Sequence, residues 1–297
     1  DYTGDVTHRE SIAAVLKSRL SIDTAFEGVF HGGPPCQPFS IASNQRFSKT
    51  NENFKRKGFL DEEKGNLLLD YIWFISMFKP RVFIIENVPG LSDLDGGIQL
   101  KEALNHLTKL GYNITKPTVI NTANYGVPQK RLRLIIVGAR SKYTFKFPEP
   151  SLETMPCHGI FEMPLTNSSN HITRNHSAES VMRYMKLEYG ERDQLGRVDR
   201  LNPYLPSKTV IAGGTKGGGR SHLHPYSPRT LSVRESARIQ TFPDEYKFEG
   251  SVARQFTQVG NAVPPILGFN LAKEIRNQFF EHNISSSKVK STLVEVS

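Results

Sequence analysis

Two stretches of this chain, Arg81–Val88 (RVFIIENV) and Leu132–Val137 (LRLIIV), read as strands buried on both faces, and segments of helical period alternate with them. A strand of this kind must be covered above and below, and intervening helices supply that cover. The alternation therefore favours an α/β fold built on a parallel or mostly parallel sheet with helices on both faces. In such a sheet, functional groups collect beyond the carboxyl ends of the strands.

Local signals divide the rest of the chain. Thr7 and Glu10 have capping-box spacing ahead of Ile12, Val15, Leu16 and Leu20, which predicts a helix over 8–20. Phe26–Phe30 reads as a short strand closed by HGGPPC, a rigid turn that holds Cys36 just past the strand's carboxyl end. Residues 41–64 are polar and without period, a long loop of the kind that carries function or disorder. Helices are expected over 65–78 and over 98–110, the second stopped by Gly111. From Ser141 to Tyr226 the segments become shorter and richer in Asn, His, Gly and Pro, and a capped helix returns at Ser232–Gln240, where Ser232 and Glu235 repeat the capping-box register. A last helix is expected from Pro264 to His282, followed by a frayed tail. The expected domains are 1–140, a smaller loop-rich domain over 141–228, a return to the first domain over 229–283, and a tail over 284–297.

Composition narrows the function classes. With 297 residues, 37% hydrophobic and 23% charged, the chain suits an ordinary globular protein, and no apolar run approaches a membrane span, because the richest, Leu67–Phe78, is interrupted by Asp70. Two cysteines, Cys36 and Cys157, exclude a disulfide framework and a four-cysteine zinc site, and no His-x-x-x-His run completes another, so no metal is expected. A formal charge of +9 makes nucleic acid the leading candidate partner. The numbering opens on Asp1 in what reads as the middle of an α/β unit, so an amino-terminal piece is expected to be missing.

Five blocks carry the chemistry: GGPPCQPFS at Gly32–Ser40, ENVPG at Glu86–Gly90, QKRLR at Gln129–Arg133, RTLSVRESARIQTFPD at Arg229–Asp244, and QVGNAVPP at Gln258–Pro265. A lone cysteine is more often a small buried hydrophobe than a nucleophile, but a turn of two glycines and two prolines at a strand end would expose the thiol where backbone dipoles favour thiolate. In wording and in order the blocks resemble those of the DNA cytosine-5 methyltransferases, which implies a Rossmann-like methyltransferase sheet with a smaller target-recognition domain.

The resemblance implies the following chemistry. Carbon 5 of cytosine is a poor nucleophile; a Cys36 thiolate adding to ring carbon 6 makes it enamine-like and able to accept a methyl group. Glu86 relieves the charge at ring nitrogen 3 as hydrogen-bond partner or general acid. Arg131 and Arg133 complete the catalytic set by contacting the flipped nucleotide, and the pleat is expected to point both toward Cys36. Asn87 is expected to fix the loop's geometry. The base must be extruded from the duplex, with the 40–64 loop closing over it, although Lys64 stands where the family has Arg.

The implied methyl donor is S-adenosylmethionine. Asp5, Pro35, Asn66, Leu67, Asn261 and Val263 match positions that would contact it, while the family's glycine-rich first block and its second acidic block have no counterpart in the chain. A truncated chain, a separate amino-terminal polypeptide or a decayed enzyme would each account for this; a fragment of an active enzyme is the favoured reading, with weak or no donor binding by the chain alone. The implied partner is double-stranded DNA, contacted at Ser40, Gln129, Arg174 and Thr209, and at Gly213, Gly214 and Arg229. Neither partner membrane nor metal is expected. Restriction-modification systems are the implied setting, in a bacterial cytoplasm at the nucleoid, or in the nucleus if the source is eukaryotic. Two alternatives stay open: a tRNA cytosine-5 methyltransferase, whose Cys-Phe-Thr element is absent here since His158 and Gly159 follow Cys157, and a non-catalytic DNA-binding fragment or subunit.

Overall fold

The computed structural model describes residues 8–20, 22, 25–34, 67–92, 97–165, 169–212 and 222–281. The chain forms two compact units: residues 1–120, 132–147 and 274–297 in the first, and 121–131 with 148–273 in the second.

In the first unit the elements are α1 (Arg9–Leu20), β1 (Val29–Gly32), α2 (Leu67–Phe78), β2 (Val82–Asn87), α3 (Ile98–Lys109), β3 (Asn113–Ile114), β4 (Thr118–Asn121) and β5 (Leu132–Ala139). The sheet order is β1-β2-β5-β3, with β4 also on β5. β1 runs parallel to β2, whereas β5 runs antiparallel to both β2 and β3. The sheet is thus mixed rather than mostly parallel, because an apolar strand buried on both faces carries no mark of its direction. The first strand also lies later than its apolar run suggests: His31 and Gly32 are drawn into it by pairing with Ile84 and Ile85.

One face of the sheet is covered as the helix periods require. Phe83 and Ile85 of β2 and Leu134 and Ile136 of β5 pack with Leu68, Ile72 and Ile75 of α2 and with Leu100, Ala103 and Leu107 of α3. The intervening Val82, Ile135 and Val137 are buried as well, so the sheet is covered on both sides. Asp70, the charge inside the apolar α2, is buried against α1, where Arg9 Nε meets its Oδ1 at 2.5 Å. Gly111, at φ +92°, ends the α3 region in the left-handed conformation that glycine adopts without steric cost.

The second unit contains α4 (His158–Glu162), α5 (Ala178–Met185), β6 (Arg192–Asp193), β7 (Val198–Arg200), β8 (His222–Leu223), α6 (Val233–Ile239), α7 (Val252–Asn261) and most of α8 (Pro265–Arg276). Its core joins Cys157, Leu201 and Val210 to Leu231, Val233, Ala237, Phe256 and Val259. Residues 229–273, assigned from sequence to the first domain, therefore group with the loop-rich segment, because α6 and α7 bury their apolar faces on it. The capping box forms as read: Ser232 Oγ accepts from Glu235 N–H, and the Glu235 carboxylate accepts from Ser232 N–H. Among the described residues, no helix is long and apolar enough to cross a membrane.

Candidate active site

β1 and β2 end together because they are parallel, and Gly32 pairs with Ile85, which sets Gly33 beside Glu86. The two glycines of the turn are required by close approach. A Cβ on Gly32 would come within 2.8 Å of the Tyr71 ring, and one on Gly33 within 2.8 Å of Glu86 Oε2. Asn87, buried at the end of β2, accepts from Val88 N–H through Oδ1 and donates through Nδ2 to the Pro34 carbonyl at 3.2 Å. Its amide thereby ties the strand end to the turn leading toward Cys36, the positioning role read from sequence.

The Glu86 carboxylate has a fixed counter-charge. Glu86 pairs in register with Ile135, and Arg133, two residues earlier on β5, shares the same face of the pleat. Its Nε lies 2.7 Å from Glu86 Oε1, each side chain being 14% exposed. Burial lowers the Arg133 pKa and the adjacent Glu86 carboxyl pulls it back up, and the contact fixes the direction of that carboxyl. Leu132, on the opposite side of the pleat, is exposed.

Arg131 takes a different position. It precedes β5, so the strand alternation does not extend to it, and it is wholly buried in the second unit. Its guanidinium donates to the carbonyls of Val210 at 2.9 Å, Gly260 at 2.6 Å and Ala262 at 3.3 Å. The expectation that both arginines turn to one face thus gives way to a division of work, with Arg133 on Glu86 and Arg131 on backbone oxygens. Gln129, expected to touch DNA, is also wholly buried. It accepts from Val210 N–H and donates to Gln240 Oε1, both at 2.8 Å. Gln240 went unnoticed in the sequence because a single amide inside a helix-forming block has no periodic or compositional signature.

The other expected DNA contacts are dispersed over the second unit. Thr209 Oγ1 donates to the Lys130 carbonyl at 2.7 Å. Arg229 forms a two-pronged pair with the buried Glu235, at 2.9 and 2.7 Å. Arg174 is exposed and lines a cleft of about 420 Å³ with Ser177, Ser180 and Arg183. Among the expected donor-binding residues, Leu67 is half-buried at the start of α2, Asn261 is exposed at the end of α7, and Val263 is half-buried beyond it. Cys36, Asp5, Pro35, Ser40, Asn66, Gly213 and Gly214 lie outside the described residues, as do Thr7 and the 41–64 loop. Cys157, the other cysteine, is fully buried; burial pushes its thiol up to about 11, and its Sγ faces the Asn202 carbonyl at 3.4 Å, so it is part of the core. Among the described residues no group of three or more His, Cys, Asp or Glu is arranged to hold a metal ion.

The C-5 cytosine-specific DNA methylase family matches residues 8–277. A type II methyltransferase of Psychrobacter, M.PspPI, is 32% identical over 82% of this chain, and the match spans 62% of that enzyme's length. The Neisseria gonorrhoeae type II methyltransferase M.NgoFVII is also 32% identical, over 89% of this chain and 73% of its own. Among solved structures, a DNA modification methyltransferase encoded within an Escherichia coli prophage shares the fold with a TM-score of 0.71 at 24% identity, covering 92% of this chain and 84% of that one. The Schizosaccharomyces pombe Dnmt2 methyltransferase shares it more distantly, with a TM-score of 0.53 at 16% identity over 83% of this chain and 77% of the other. The fold is the Rossmann-like α/β fold of the methyltransferases, and the chain belongs to the C-5 cytosine-specific DNA methylase family.

Proposed function

We propose that this chain methylates carbon 5 of cytosine in double-stranded DNA, with Cys36 as the nucleophile toward a base flipped out of the helix. The observation that carries the reading is the placement of the Glu86 carboxylate against the backbone of Gly33, three residues before Cys36, with Arg133 holding its Oε1.

The cysteine thiolate forms a bond to ring carbon 6, the carbon 5–carbon 6 electron pair shifts to carbon 4–carbon 5, and the carbon 4–nitrogen 3 pair moves onto nitrogen 3. Glu86 stabilises that charge at nitrogen 3 by hydrogen bonding or proton donation. Arg133 prevents the carboxyl from turning away. Asn87 holds the turn through Pro34. When bound, S-adenosylmethionine would supply an electrophilic methyl group to carbon 5 and depart as S-adenosylhomocysteine; transfer of the carbon 5 proton to water then re-forms the carbon 5–carbon 6 double bond and expels the Cys36 thiolate. Leu67, half-buried at the start of α2, keeps apolar surface on which an adenine ring can pack, so the first unit fits the donor to that extent. Arg131 acts through the backbone it holds.

The test is covalent trapping on duplex DNA containing 5-fluorocytosine in the presence of S-adenosylmethionine. Supplied with a separate polypeptide that carries the family's glycine-rich first block, the native chain is expected to give a denaturation-resistant DNA adduct and Cys36→Ser none; without it the adduct is expected to be weak or absent. Salt-sensitive DNA binding without an adduct would instead identify a DNA-binding subunit, and methyl transfer to tRNA alone would overturn the choice of substrate.

A further inference from the structure

One face of α5 is left with protons that nothing accepts. Ser177 caps the helix, its Oγ accepting from Ser180 N–H at 3.3 Å. The Ser177 and Ser180 hydroxyls lie 3.0 Å apart, and Arg183 Nη2 donates to Ser180 Oγ at 3.3 Å. One hydroxyl of the pair gives its proton to the other, and the second proton has no acceptor among the described residues. Tyr184, one turn beyond Ser180, is only 5% exposed, yet its hydroxyl also has no hydrogen-bond partner among the described residues. A buried phenol is ordinarily paired, so an unpaired one marks a place for an acceptor. Ser177, Ser180 and Tyr184 all line the cleft of about 420 Å³, together with Arg174, Arg183 and Gly196. The Tyr184 hydroxyl lies against that wall, since a Cβ on Gly196 would stand 3.2 Å from its Oη.

The charges point the same way. Arg183 is already balanced: its Nε meets Asp193 at 3.1 Å and its Nη1 meets Glu179 at 3.0 Å, and neither carboxylate lines the cleft. Glu179 is itself 80% exposed and screened by water. Arg174 is exposed and has no ion-pair partner among the described residues. Surplus donors and one unanswered positive charge call for an acceptor-only group with one negative charge. A phosphodiester meets both conditions, with two non-bridging oxygens sharing a single charge, whereas a phosphomonoester brings nearly two. The formal charge of +9 favours a polyanion built from such groups.

We propose that this cleft binds a single phosphodiester group of a nucleic-acid backbone, with Arg174 as the ionic contact and the Ser177–Ser180 pair and the Tyr184 hydroxyl as neutral donors. The nucleic-acid source rests on the methyl-transfer reading; the diester site itself does not.

The experiment uses the full chain with Arg174→Gln, Tyr184→Phe and, as a charge-matched control outside the cleft, Arg192→Gln. Dimethyl phosphate, a singly charged diester, should shift the backbone amide resonances of residues 177–184 saturably in the native chain and in Arg192→Gln, and not in Arg174→Gln. On duplex DNA, the loss of one ionic phosphate contact in Arg174→Gln should make the slope of log K against log salt shallower by about 0.9. Tyr184→Phe should weaken duplex binding about ten-fold at unchanged slope, and Arg192→Gln should match the native chain. Absence of the dimethyl phosphate shifts overturns the site. Saturation by a 5′-mononucleotide at a concentration about ten-fold lower overturns the diester in favour of a free monoester. Equal slope changes in Arg174→Gln and Arg192→Gln overturn the link to the DNA backbone, because any surface charge would then serve. If the native chain binds no duplex, the methyl-transfer reading fails, while the dimethyl phosphate result still decides the cleft.

Discussion

Arg133 Nε and Glu86 Oε1 are 2.7 Å apart on neighbouring antiparallel strands, joined on the pleat face that β2 shares with β5. The pair lies at the carboxyl end of β2, where the turn that leads to Cys36 passes within contact of the carboxylate. Replacing the carboxyl with an amide of the same shape tests Glu86 directly. Glu86→Gln should fold and bind DNA like the native chain but lose methyl transfer by about 10²–10⁴-fold in kcat, the usual contribution of a positioned acid or base. Radiolabelled methyl incorporation at saturating DNA, with the polypeptide carrying the glycine-rich first block supplied to both proteins, measures it.

Gly33 offers an independent probe of the same carboxylate. An alanine Cβ there would stand 2.8 Å from Glu86 Oε2, too close to coexist with it. The far end of the side chain must turn aside, which displaces the group without deleting it. Gly33→Ala should therefore lower kcat by roughly 10²-fold, the scale of an ångström-sized misplacement, with little change in thermal stability. A loss in melting temperature matching the loss in activity would point to unfolding instead.

Gly260 is constrained differently, because its neighbour is backbone rather than a movable side chain. With Ala212 N only 2.2 Å from the added Cβ, Gly260→Ala must push α7 and the 211–212 segment apart. The expected cost is about 1–3 kcal/mol, the range for overpacking a filled interior, read as a lower urea midpoint at unchanged slope.

Acid should weaken the second unit. Burial lowers the His224 pKa to about 4 from 6.5, outweighing the pull of Glu235 in the other direction. Its Nδ1 accepts from Tyr226 N–H, a role for the neutral ring. The unfolded chain binds a proton below pH 6.5 that the folded chain refuses until about pH 4, so stability falls as pH drops through that window. Glu235 acts in the same sense at lower pH: burial raises its pKa, but the Arg229 pair and the Ser232 N–H together hold it below the ordinary value, and its contribution is lost as pH falls through the folded pKa. Urea melts at pH 7.5 and 5 should differ more for the native chain than for His224→Gln.

The sequence by itself determined what depends on neighbours a few residues away. Helices with apolar faces, the Ser232–Glu235 capping box and the strand carrying Glu86 all follow from spacing and backbone preference. Strand direction, the separate employment of Arg131 and Arg133, and the Gln129–Gln240 chain were decided only by tertiary structure. A strand buried on both faces reads alike in either direction, and a buried guanidinium or amide is committed by whichever carbonyl lies within reach. Gln129 and Gln240 are 111 residues apart, and only the packing of Ser207–Ala212 on α7 brings them together.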